Sequence, residues 1–210
     1  MRSGLRGSRR GRFAGLVATI CAGMLTLSAC ATGTDAVAQG GTFEFVSPGG
    51  QTEIFYDPPA DRGQVGNITG PSLMQEGETI SLDDFEGDVV VLNVWGQWCG
   101  PCRGETDDLE AVYEKTKDKG VSFLGLNVRD FTKDKPQDFV IDNGVTYPSI
   151  YDPAMRTLMS VGKNYPTTVI PTTIVLDREH RVAAVFLKAL LEEDLLPVVE
   201  RVAAEQSDVR

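Results

Sequence analysis

Val89-Val90-Val91-Leu92-Asn93-Val94-Trp95-Gly96-Gln97-Trp98-Cys99-Gly100-Pro101-Cys102-Arg103-Gly104-Glu105 joins an apolar run to two cysteines. The run from Val89 to Val94 suits a strand buried on both faces, and the spacing after Cys102 predicts an amphipathic helix. A strand, a tight turn and a helix start would set Cys99 beside unpaired helix N–H groups, whose partial positive charge favours thiolate over thiol. Cys99 is therefore the expected nucleophile. Cys102, one helical turn deeper and less exposed, is the expected resolving thiol. Within the Trp98–Cys102 motif, Gly100 permits the turn, and Pro101 gives up an N–H that a first helical turn leaves unpaired anyway. A bare C-x-x-C also fits half a zinc site or a static disulfide. Beyond the leader the only other cysteine is Cys30 and the single histidine is His180, too few for a four-ligand site in one chain. No metal and no cofactor are expected.

Toward the N-terminus, Arg2, Arg6, Arg9, Arg10 and Arg12 precede an apolar run from Phe13 to Leu27 and then Leu27-Ser28-Ala29-Cys30. Residues 1–29 read as a signal peptide. Their end resembles the bacterial lipobox, which would make Cys30 the diacylated first residue of the mature protein. The apolar core is about fifteen residues long, short of the roughly twenty a bilayer span needs. Ser8-Arg9-Arg10 resembles a twin-arginine signal, but Arg12 stands where that pattern wants an apolar residue, so the export route stays open. Cys21 would leave with the leader and Cys30 would carry lipid. That leaves one usable pair, kept for chemistry rather than stapling in a chain long enough to build a core.

The whole chain carries a net charge of −10, and loss of the five leader arginines would take it to about −15. Such acidity argues against nucleic acid and against electrostatic docking on anionic lipid, so membrane attachment would rest on the acyl chains.

Residues 30–41 are small and polar, a tether. In residues 42–69, Phe43-Glu44-Phe45 and Ile54-Phe55-Tyr56 flank Pro48-Gly49-Gly50 and predict a β-hairpin extension, stopped by Asp57-Pro58-Pro59. The main domain spans 70–205, with 206–210 a tail. Strands are predicted at Val121–Val128, Thr172–Leu176 and Val182–Phe186, and helices after the dithiol and at Leu191–Ala204. Between them, a helix at Pro136–Asn143, an extended piece at Tyr147–Tyr151 and a helix at Ala154–Val161 capped by Asp152-Pro153 read as an insertion. The fold class is α/β, a central mixed sheet flanked by helices, with Trp95 in its core.

Asn93 to Glu105, together with Ile170-Pro171-Thr172-Thr173 and Leu176-Asp177, resembles the TlpA/ResA family of thioredoxin-fold proteins from about Gly70 to Ala204. The resemblance implies a cis Pro171 facing the dithiol, preferred over the rival Pro166, and an Ile170 backbone offered to substrate. It also implies that Glu105 is a half-buried acid–base group tuning the pair. Asn93 takes the place of the buried Asp of thioredoxins proper, and Asp107 stands where the family often has proline.

ResA-like and CcsX-like members reduce apocytochrome c with electrons from a CcdA-type membrane donor, and that is the function the resemblance implies. The Gly-Pro dipeptide matches thioredoxin, whose potential is about −270 mV. An oxidase or isomerase remains the alternative, and a lipid-anchored binding protein with an inert disulfide is another. A peroxidase would need threonine where Gly96 stands.

Overall fold

Seven successive buried residues, Val89–Trp95, form β4, the strand that carries the chain to the dithiol. The structure is a computed structural model and describes residues 41–205. The expected leader, Cys30, the tether before Gly41 and the 206–210 tail lie outside the described residues.

Six strands form one sheet: β1 (Glu53–Phe55), β4, β5 (Val121–Val128), β6 (Ser149–Asp152), β7 (Thr172–Leu176) and β8 (Val182–Phe186). Their spatial order is β1-β8-β7-β4-β5-β6. β4 runs parallel to β5 and antiparallel to β7, so the sheet is mixed. β2 (Thr69–Pro71) and β3 (Thr79–Ser81) make a small separate ladder. The helices are α1 (Gly100–Thr116), α2 (Asp134–Asp142), α3 (Leu158–Val161) and α4 (Glu192–Ala203).

The period of two along each strand divides the core into layers. Val89, Val91, Phe123, Val175 and Phe186 face Leu109 and Val112 of α1 and Leu195, Val199 and Val202 of α4. Val90, Leu92, Val94, Leu124, Ile174 and Val185 face the other way, onto Phe43, Phe45, Ile54, Tyr56, Leu158 and Val161. Because both faces are covered, β4 needs no polar alternation.

Two expected elements differ. The aromatic triplets at 43–45 and 54–56 do not form a hairpin with each other. Instead Glu53–Phe55 pairs antiparallel with β8 as the sheet's edge, and the backbone of Phe43–Phe45 bonds to Gln64 and Lys163. Both triplets send alternate side chains into one apolar layer, which leaves the hairpin partner undetermined by pattern alone. The helix expected at Ala154–Val161 is confined to Leu158–Val161, because Met155 has φ 58°. Asp152 does not cap the helix, whose cap residue is Thr157; instead its Oδ2 fixes the turn before it, accepting from the N–H and the hydroxyl of Thr157, both at 2.7 Å.

Arg62, 1% exposed, locks the N-terminal segment to the rest. It donates to the Tyr56 carbonyl and pairs with Asp57, Asp177 and Glu205.

Candidate functional site

The turn after β4 delivers Cys99 to the start of α1, where it is the cap residue with extended backbone, φ −85° and ψ 108°. Its Sγ accepts from the Cys102 N–H at 3.2 Å, one of the helix-start donors that have no carbonyl partner. Cys99 and Cys102 are disulfide-bonded. Pro101 sits in the first turn, where its missing N–H leaves nothing unpaired.

Opposite the sulfurs, the Ile170–Pro171 peptide is cis while Pro166 is not among the cis bonds. The Ile170 carbonyl oxygen lies 3.8 Å from Cys99 Sγ. A disulfide sulfur carries no hydrogen, so in this state the contact is packing rather than a hydrogen bond.

Exposure departs from expectation. Cys99 is only 4% exposed, scarcely more than Cys102 at 3%, because Leu73, Trp95 and Val140 pack around the pair. Trp98 is the open residue, 45% exposed. Its indole N–H donates to the Val128 carbonyl at 3.0 Å, and its ring covers Gly96, where a Cβ would fall 2.3 Å from Nε1. The adjacent Gln97 N–H is held by Asp130 at 2.8 Å. The anchors are the last residue of β5 and Asp130 in the loop just after it.

Glu105 is fully rather than half buried, 1% exposed. Burial pushes its carboxyl up to about 7, against hydrogen bonds that favour the charged form. Asn93 Nδ2 donates to Oε1 and the Leu190 N–H to Oε2, each at 2.9 Å. One turn on, Asp108 accepts from the Glu192 N–H, so these two acids of α1 also hold the start of α4.

Asn93, placed by the sequence where thioredoxins proper have a buried Asp, receives no role from sequence reasoning. Its amide bridges Glu105 and the Thr173 hydroxyl, joining α1 to β7 beneath the dithiol. The signal was present as a lone polar residue in an apolar strand, since a buried amide must find partners. A void of about 10 Å³ is lined by Asn93, Cys102, Thr106 and Tyr147 among others, roughly room for a single water. Among the described residues no three His, Cys, Asp or Glu side chains are grouped as a metal would require. His180 instead turns to the Phe85 carbonyl.

The redoxin family's sequence profile matches residues 61–202. The thiol-disulfide oxidoreductase ResA of Bacillus thuringiensis (strain Al Hakam) is 31% identical over 120 residues, covering 57% of this chain and 66% of that one. The match thus spans just under two thirds of that relative's length. A solved structure of a secreted thiol-disulfide isomerase from Corynebacterium glutamicum is 54% identical with a TM-score of 0.75, covering 79% of this chain and 100% of that one. A DsbF homologue from Corynebacterium diphtheriae is 51% identical with a TM-score of 0.72, covering 76% and 99%.

Proposed function

The chain belongs to the redoxin family, and on that premise we propose that it is a thiol–disulfide oxidoreductase acting on protein disulfides outside the cytoplasm. The observation that carries this reading is a disulfide at a helix N-terminus, against the carbonyl before a cis proline, with a buried carboxyl one turn below.

An external dithiol reduces the Cys99–Cys102 bond, supplying two electrons and two protons. The Cys99 thiolate, favoured by the Cys102 N–H, then attacks one sulfur of a client disulfide. The client's S–S bond breaks and its other sulfur leaves as a thiolate, which takes a proton. Cys102 next loses its proton and attacks Cys99 Sγ, restoring the internal bond and releasing the client's second sulfur. The client gains two electrons and two protons, and the dithiol loses both. Glu105, poised near neutrality, is the acceptor we assign to the Cys102 proton.

The direction we favour is reduction. The Gly100-Pro101 dipeptide is that of thioredoxin, and the resemblance to ResA supports apocytochrome c as client and a CcdA-type membrane protein as donor. Attachment would be through lipid at Cys30, after cleavage of the leader. A second reading, disulfide isomerisation in secreted proteins, is favoured by the 54% identity to a secreted isomerase.

Equilibrating the Cys99–Cys102 couple against a dithiol buffer separates the two. A potential near −270 mV fits the reductase, whereas one near −180 mV, the value of protein disulfide isomerase, refutes it and favours the second reading. In parallel, Cys102→Ser should accumulate a mixed disulfide with the client and Cys99→Ser should accumulate none. Failure to recover any adduct from Cys102→Ser counts against the assigned roles.

A further inference from the structure

Four non-glycine residues among those described have left-handed backbone, and Arg129 and Met155, both at φ 58°, touch each other. Arg129 Nε donates to Met155 Sδ at 3.2 Å. A bulky side chain in that region is strained and persists only where surrounding contacts impose it.

Arg129's remaining contacts span the site. Nη2 donates to the Thr167 carbonyl at 3.2 Å, three residues before the Ile170 carbonyl that meets Cys99. The guanidinium carbon also lies 5.8 Å from the centroid of the Trp98 ring, the residue just before Cys99. These partners are a thioether, a carbonyl and an aromatic face rather than a carboxylate. Val128 and Asp130, on either side, hold the Trp98 indole and the Gln97 N–H. The stretch from the end of β5 to Asp130 thus grips the Trp98 wall, and Arg129 reaches from it across to the Thr167 carbonyl.

We propose that Arg129 is a positioning residue that determines specificity. It sets the gap between Trp98 and the Thr167–Pro171 segment, and so favours an extended polypeptide disulfide over a small one. The inference rests on the oxidoreductase reading above. A polypeptide must lie along both walls, whereas a small disulfide needs only the Cys99 sulfur. Loosening the gap should therefore weaken binding of the first and leave the second unchanged.

The left-handed backbone offers a clean test, because Arg129→Gly and Arg129→Asn both suit that conformation. Full-length protein, reduced beforehand, is mixed with excess disulfide and followed by tryptophan fluorescence. One substrate is a disulfide-containing peptide and the other is neutral 2-hydroxyethyl disulfide. Both variants should melt no lower than wild type. Their half-saturating peptide concentration should rise at least about fivefold, with the limiting rate within about twofold and the small-disulfide reaction unchanged.

An unchanged peptide half-saturation in both variants overturns the proposal. So does a parallel loss toward both substrates, or a lowered melting temperature with general loss, since either makes Arg129 a support for the dithiol or the fold. Wild-type protein that reduces neither disulfide refutes the oxidoreductase reading itself, and the clamp with it.

Discussion

Glu105→Gln isolates the free energy of holding a carboxylate under the dithiol. Burial raises Glu105 to about 7 from an ordinary 4.5. The folded protein therefore binds this proton more tightly than the unfolded chain does. Stability contributed by the group is fully present below about pH 4.5 and is lost as pH rises through 7. A difference of that size corresponds to ~3 kcal/mol. Gln has no charge to lose, so the stability of Glu105→Gln relative to wild type should grow by ~3 kcal/mol between pH 4.5 and pH 8.

Subtracting the two curves cancels every other titration common to both proteins. The Gln amide also offers N–H groups where Asn93 and Leu190 already donate, which costs about 1–2 kcal/mol. That offset is nearly independent of pH and leaves the slope intact. Urea midpoints of the oxidised proteins at four pH values between 4.5 and 8 give the comparison directly. A difference that stays level to within about 0.5 kcal/mol would refute the account of a buried, proton-holding Glu105. In the reduced proteins, the pH profile of Cys99 alkylation should also move on this substitution, and an unmoved profile removes Glu105 from the chemistry.

Asn93→Ala deletes a donor that favours the charged form, so the Glu105 titration should rise above its wild-type position, visible as a higher pH window in the same urea series. Arg62→Met removes one of the two cations on Asp177, the other being Arg181, together with the bonds to Asp57 and Glu205, and should cost about 1.5–3 kcal/mol in chemical denaturation; a loss under about 0.5 kcal/mol would contradict the pairing described. Gly96→Ala places a Cβ 2.3 Å from Trp98 Nε1 and 2.9 Å from the Val128 oxygen. It should displace the indole and shift its fluorescence, and an unchanged spectrum would show the ring free to accommodate it.

The four central strands were legible because each is an apolar run with one plausible role, and Val121–Val128, Thr172–Leu176 and Val182–Phe186 match residue for residue. The dithiol, the Ile170–Pro171 peptide and the position of Glu105 on α1 could also be read, through motif spacing and family resemblance. Partner choice was not. Glu53–Phe55 is too short for its side-chain pattern to say whether Phe43–Phe45 or β8 lies beside it. Met155 keeps its helix from starting before Leu158 through its backbone, which no composition rule marks in methionine. The low exposure of Cys99 depends on Leu73 and Val140, and Glu105 is met by Asn93 and the Leu190 backbone, all brought in from distant segments. Arg62 is the plainest case, a charge whose three carboxylate partners lie up to 143 positions away.

The β1–β8 pairing bears on how the protein can be shortened. The boundary that composition suggests, near Gly70, would strip off the strand covering one flank of β8, the aromatic underlay from Phe43 to Tyr56, and the only cation facing Asp177 from that segment. A fragment begun there would present a bare, apolar strand border, the kind of border along which two copies zip together into insoluble material. The shortest soluble fragment should therefore start upstream of Phe43, well before the first residue that touches the chemistry.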